Sequence, residues 1–120
     1  MRVLIVDDSA DVRFMLRVLL EDAGMEVEEA STGEDALDRI LADPSSLDAV
    51  VLDQRMPGIT GIDVAREATD LPDCPAIVLF SAYLHPLLAQ DAQELGLITV
   101  IKTDLHELLE VLGDLSRVCA

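Results

Sequence analysis

The chain has 120 residues, 51% of them hydrophobic, and carries 24 Asp plus Glu against 8 Lys plus Arg, a formal net charge of −16. That charge argues against nucleic acid as a direct ligand, which demands clustered Lys and Arg, and against an anionic membrane surface; three aromatics, Phe14, Phe80 and Tyr83, cannot build a base-stacking platform. The apolar fraction is too high for a disordered acidic tail, and the length suits one domain over residues 1–120 with its own core.

Val3-Leu4-Ile5-Val6 is a short β-branched run that ends in Asp7-Asp8 and predicts a first strand. Val12, Met15, Leu16, Leu19 and Ala23 then recur at helical spacing, and Gly24 stops that helix. Met25-Glu26-Val27-Glu28 alternates, which predicts an edge strand with one face partly wet; it ends at Ala30, with nothing charged to offer. Ser31-Thr32-Gly33-Glu34 predicts a capping-box start for a second helix, and Pro44 ends it. Ala49-Val50-Val51-Leu52 is a third strand, followed by Asp53, and Thr60-Gly61-Ile62-Asp63 opens a third helix. Ala76-Ile77-Val78-Leu79-Phe80 is a fourth strand, followed by Ser81, and His85-Pro86 opens a fourth helix. Ile98-Thr99-Val100-Ile101 is a fifth strand, followed by Lys102; Thr103 or Asp104 caps a fifth helix carrying Leu105, Leu108, Leu109 and Leu112.

Near-continuous apolar strands belong to a parallel sheet covered on both faces. Right-handed crossovers then favour an α/β fold, a (βα)5 doubly wound open sheet of flavodoxin-like topology. Strand order 2-1-3-4-5 puts the alternating strand at an edge. Ligands of such sheets bind at the carboxyl ends of the strands. Four strands deliver polar groups there: Asp7-Asp8, Asp53, Ser81 and Lys102. Three converging carboxylates raise one another's pKa and destabilise the fold unless a cation relieves them. Hard carboxylate oxygens select Mg²⁺, Mn²⁺ or Ca²⁺. Lys102 is the only lysine in the chain, and it sits at the same edge as the acids.

Other chemistries fit poorly. No GxGxxG follows the first strand, no GxxxxGK[ST] is present, and no Cys or Ser sits in a nucleophile elbow. Asp7-Asp8 lacks the Asp-x-Asp spacing of a haloacid-dehalogenase-type phosphatase. His85 and His106 are expected at helix starts, away from the acids. Cys74 and Cys119 have neither CxxC nor zinc spacing, which predicts reduced thiols in a cytoplasmic protein. No targeting segment and no run long enough to span a membrane is visible.

Asp7-Asp8, the run Asp53-Gln54-Arg55-Met56-Pro57-Gly58, Ser81-Ala82 and Lys102 together resemble a response-regulator receiver domain, in order and over essentially all 120 residues. The resemblance implies that Asp53 is the phosphoacceptor, a carboxylate nucleophile forming an acyl phosphate. It implies that Asp8, Asp53 and the Arg55 backbone carbonyl bind Mg²⁺, with Asp7 holding the ion directly or through water. Ser81 and Lys102 would bind phosphoryl oxygens, and Arg55 and Tyr83 would occupy the two positions that tune phosphoryl lifetime. The implied donor is a sensor histidine kinase, a phosphotransfer protein or a small phosphodonor. The implied chemistry is phosphoryl transfer to the domain itself and slow autodephosphorylation, with no other enzyme activity.

Two positions depart from the family pattern. Thr99 stands where many receivers carry a switching aromatic, which puts the usual coupling to Ser81 in doubt, and Thr103 stands where a proline normally follows the lysine in a cis peptide. A cis bond before a non-proline residue costs about 2.5–4 kcal/mol, so the expectation is a trans bond with a changed loop or a strained cis bond. Both departures fall on the face of the fourth helix, fifth strand and fifth helix, through which many receivers dimerise or signal. Its acids Glu94, Asp104, Glu107 and Glu110 lack interleaved bases, while Leu84, Leu87 and Leu88 are either an apolar contact patch or half-buried. A receiver-like interaction domain acting without phosphorylation is the alternative reading, and a Mg²⁺-dependent phosphohydrolase is a third.

Overall fold

A computed structural model describes residues 1–119, with side chains described through Arg117. Five strands, β1 (Arg2–Val6), β2 (Glu26–Ala30), β3 (Ala49–Leu52), β4 (Ala76–Ser81) and β5 (Ile98–Ile101), alternate with α1 (Ala10–Asp22), α2 (Gly33–Ala42), α3 (Gly61–Ala68), α4 (Pro86–Glu94) and α5 (Leu105–Cys119). All strand pairs are parallel, in the order β2-β1-β3-β4-β5. The expected doubly wound sheet is therefore observed, with the alternating strand at its edge.

Side chains of a strand point alternately to the two faces, and the cores divide accordingly. Leu4, Val6, Val50 and Leu52 face Ala36 and Ile40 of α2 and Val64, Ala65 and Ala68 of α3. Val3, Ile5, Val51, Val78, Phe80 and Val100 face Leu16 and Leu20 of α1 and Leu108 and Leu112 of α5. A smaller cluster of Ile62, Leu79 and Ala92 seats α4, with Leu84 and Leu88 packed against it. Each fully buried aliphatic side chain contributes about 1.5–3 kcal/mol, so the inner strands are held from both sides.

Boundaries differ from expectation in a few places, each for a local reason. β2 starts at Glu26 rather than Met25, because the Met25 N–H is used by the Leu20 carbonyl in the turn that closes α1. α2 is capped by Thr32, whose side chain accepts the Asp35 N–H, and not by Ser31. α2 ends at Ala42, and Pro44–Ser46 form a separate 3₁₀ turn. α3 carries the predicted capping box between Thr60 and Asp63. Asp104 rather than Thr103 opens α5: its Oδ1 accepts the Glu107 N–H at 3.0 Å. Every peptide among the described residues is trans, the Lys102–Thr103 bond included. The loop before α5 is closed by the Asp104 N–H on the Ile101 carbonyl at 2.8 Å.

Cys74 is half-buried, its Sγ lies 3.1 Å from the Pro75 carbonyl, and burial pushes its thiol pKa up. The Cys119 side chain lies outside the described residues. No helix among the described residues is long and apolar enough to cross a membrane.

Candidate functional site

The sheet itself positions the acids. Asp7 follows β1, and its N–H continues the ladder to the Ala30 carbonyl at 3.2 Å. Asp53 follows β3, with its N–H on the Val6 carbonyl at 2.9 Å. Both are almost completely buried, whereas Asp8 is exposed. One oxygen from each of the three carboxylates lies within 4.8 Å of the others. Lys102, fixed by its N–H on the Ser81 carbonyl at 2.9 Å, reaches across with Nζ 2.7 Å from Asp7 Oδ2 and 3.1 Å from Asp53 Oδ1. The second oxygen of Asp7 accepts the Ser9 N–H at 2.9 Å, so this carboxylate is satisfied on both sides.

The charge balance is incomplete. Burial holds the Asp53 carboxyl above its ordinary value, and Lys102 pulls the other way without cancelling it. Burial alone would lower the Lys102 ammonium, but Asp7 and Asp53 outweigh it and its pKa is raised. One ammonium therefore faces three carboxylates. The donor set, hard and anionic with an exposed member at the mouth, fits a divalent cation.

A cleft of about 670 Å³ opens over these groups, bounded by Asp8, Asp53, Arg55, Ser81, Tyr83 and Lys102. The predicted site residues thus converge, apart from Thr99, which is half-buried in β5 opposite Leu79. Arg55 and Tyr83 are both exposed at the cleft. Ser81 is buried, and its hydroxyl donates to the Tyr83 carbonyl at 3.0 Å. His85 corrects an expectation: it lines the cleft instead of standing clear of it. The loop between β4 and α4 is short, so the cap of α4 stands over the strand ends; His85 Nδ1 accepts the Leu87 N–H at 3.1 Å. His106 behaves as expected for a surface residue, pairing with Glu110 at 2.8 Å. Of the three leucines on the α4 face, Leu84 and Leu88 pack inward, and Leu87 alone is exposed, at 66%.

Two contacts near the site escaped the sequence reading. Arg13 of α1 donates from Nη1 to the Asp7 carbonyl at 2.7 Å while its Nε holds Glu29 of β2 at 3.0 Å. Gln54, next to Asp53, reaches the start of α3. Both contacts arise where chain turns bring distant residues together, and no local periodicity signals them.

The sequence profile of the response regulator receiver domain family matches residues 3–112. The transcriptional regulatory protein ResD of Bacillus subtilis is 36% identical over 78 residues, which cover 65% of this chain and 32% of that protein. Sporulation initiation phosphotransferase F of the same organism is 29% identical over 98 residues, covering 82% of this chain and 77% of its own. The chain thus spans about a third of the length of ResD and most of the smaller relative. Among solved structures, the Thermotoga maritima response regulator TrrA superposes with a TM-score of 0.83 at 32% identity, over 95% of this chain and 97% of that one, in a structure with Mg²⁺ and BeF. A second TrrA structure, in complex with the histidine kinase ThkA, gives a TM-score of 0.84 at 33% identity with the same coverage.

Proposed function

Because the chain belongs to the response regulator receiver domain family, we propose that it is a phosphoacceptor switch that takes a phosphoryl group onto Asp53. The observation that carries this reading is the buried Asp53 carboxylate with the Lys102 ammonium at 3.1 Å and the Asp7-Asp8 pair beside it. Asp53 Oδ attacks the phosphorus of a phosphohistidine, the P–N bond breaks as the O–P bond forms, and the imidazole leaves to take a proton from water. Asp53 then carries an acyl phosphate, which water hydrolyses slowly.

Asp8, Asp53 and the Arg55 carbonyl would hold Mg²⁺, with Mn²⁺ as a substitute, and Asp7 would hold it directly or through its waters. When bound, the ion neutralises charge that spreads over the transferring phosphoryl oxygens. Lys102 binds one of those oxygens. Ser81 exchanges its Tyr83 carbonyl partner for another, which releases the loop that leads into α4. Arg55 and Tyr83, standing exposed at the cleft, hinder the hydrolytic water and lengthen the acyl phosphate's life. The signal passes through the face of α4, β5 and α5, where a homodimer or an output partner docks; Thr99 replaces the aromatic found there in many receivers.

The donor is a sensor histidine kinase or a phosphotransfer protein in the cytoplasm. The histidine kinase complex of the similar protein TrrA supports that partner, and TrrA's Mg²⁺–BeF structure supports the cation. The test is incubation with Mg²⁺ and acetyl phosphate, or with beryllofluoride, followed by intact mass and NMR on wild type and Asp53→Asn. A phosphoryl adduct and amide shifts in wild type alone are expected. No adduct and no shift would overturn the reading, and multiple turnover of a phosphate ester would replace it with a phosphohydrolase.

A further inference from the structure

Gln54, the residue between Asp53 and Arg55, makes two bonds to one helix end. Its main-chain carbonyl accepts the Gly61 N–H at 3.1 Å, and its side-chain Oε1 accepts the Ile62 N–H at 2.8 Å. These are the first two amides of α3, groups that have no partner within the helix. The next two are served from inside the helix start, the Asp63 N–H by Thr60 Oγ1 and the Val64 N–H by the Thr60 carbonyl. Gln54 alone therefore completes the cap, and it does so across eight residues of chain.

The attachment is tight. A Cβ at Gly61 would strike the Asp53 carbonyl oxygen and approach Gln54 Cα to 3.1 Å. On the far side of the loop, Glu34 Oε1 of α2 accepts the Ile59 N–H at 3.3 Å. The segment from 54 to 62 is thus closed at its base and braced at its tip. With one residue's main-chain and side-chain carbonyls both engaged, the backbone on either side of Gln54 loses rotational freedom. One side carries Asp53, and the other leads to the Arg55 carbonyl.

We propose that Gln54 is a positioning residue for the divalent-cation site, holding the Asp53 carboxylate and the Arg55 carbonyl in a common orientation. The inference rests on the metal-binding part of the proposed function. A plain helix cap predicts something different, namely that any comparable loss of capping at α3 has the same effect on the cation. Asp63→Ala supplies that comparison, because it removes the capping-box carboxylate that accepts the Thr60 N–H and leaves the Gln54 bonds in place.

The test is calorimetric titration of Mg²⁺ into wild type, Gln54→Leu, Gln54→Asn and Asp63→Ala, with Asp53→Asn as the site control and urea unfolding of each. Leucine has no acceptor, and asparagine is one methylene too short to reach the Ile62 N–H. Both Gln54 variants are expected to weaken Mg²⁺ about tenfold, the low end for residues that orient metal ligands. Asp63→Ala should stay within about twofold of wild type even where its stability loss is larger. The Ile62 amide proton should move upfield in both Gln54 variants and stay in place in Asp63→Ala. Wild-type affinity in the Gln54 variants, with the Ile62 shift lost, overturns the inference and leaves the proposed function intact. Equal weakening in Asp63→Ala overturns it too, and wild-type protein that binds no Mg²⁺ overturns both.

Discussion

Replacing Lys102 by methionine keeps the stem and removes the ammonium. In the native protein that ammonium lies 2.7 Å from Asp7 and 3.1 Å from Asp53, whose residues are 2% and 6% exposed. Removing one partner of a buried pair costs about 3–5 kcal/mol, because the charge left behind has neither water nor counterion. Lys102 is 23% exposed and Asp7 keeps the Ser9 N–H, so the lower end, about 3 kcal/mol, is expected. Urea unfolding followed by far-UV circular dichroism, without Mg²⁺, reads it. The pH dependence gives a second handle. The Asp53 carboxyl is already raised by burial against the pull of Lys102, and it rises further once Lys102 is gone. A raised acid costs stability above its folded-state pKa and costs nothing below its unfolded value, about 4. The deficit should therefore shrink as pH falls toward that unfolded value. Asp53→Asn in wild-type background removes that cost and should stabilise by about 1 kcal/mol, as relief of functional-site strain does. A loss under about 1 kcal/mol for Lys102→Met, or one undiminished as pH falls to about 4, would refute the account of an under-neutralised buried cluster.

Gly61→Ala puts a methyl against the Asp53 carbonyl, backbone that cannot yield cheaply; a loss of about 1–3 kcal/mol in thermal unfolding, with weaker Mg²⁺ binding, is expected. Glu29→Gln disconnects Arg17 and Arg13, which hold the Glu29 carboxyl below its ordinary 4.5, the Arg17 hydrogen bond most strongly. A depressed acid contributes stability above its unfolded pKa and loses it as pH falls through the folded one. The variant should therefore be about 0.5–1 kcal/mol weaker than wild type at pH 7, with the gap narrowing as pH falls below 4.5, as urea midpoints will read. Arg55→Ala and Tyr83→Ala should each speed loss of the phosphoryl group, measured as autodephosphorylation; no acceleration in either removes the shielding role.

Much of the fold was legible because the physics was local. Val3–Val6 and Ala49–Leu52 are apolar on both faces and could only be inner strands of a covered sheet, while the alternation around Val27 belonged at an edge. The site was legible for a related reason: each of its groups directly follows a strand, so topology alone brings Asp7, Asp8, Asp53, Ser81 and Lys102 together. Contacts set by loop closure were not legible. Gln54 meets Ile62 only because the chain doubles back at Gly61, and His85 reaches the cleft only because the β4–α4 connection is short. Ser31 and Thr32 offered two capping hydroxyls one residue apart, and only the observed backbone selects Thr32.

The arginine pairs along β2 have a consequence for crowded solution. This strand has a bare outer side, the kind of edge on which a strand from another copy can lay itself down. Its five residues include Glu26, Glu28 and Glu29, each tied to an arginine, namely Arg2, Arg39 and the Arg13–Arg17 pair. Two copies meeting edge to edge would have to align these carboxylates and break their pairings. Acid removes both obstacles at once, so it is in acid that this sheet is least protected from growing by addition of itself.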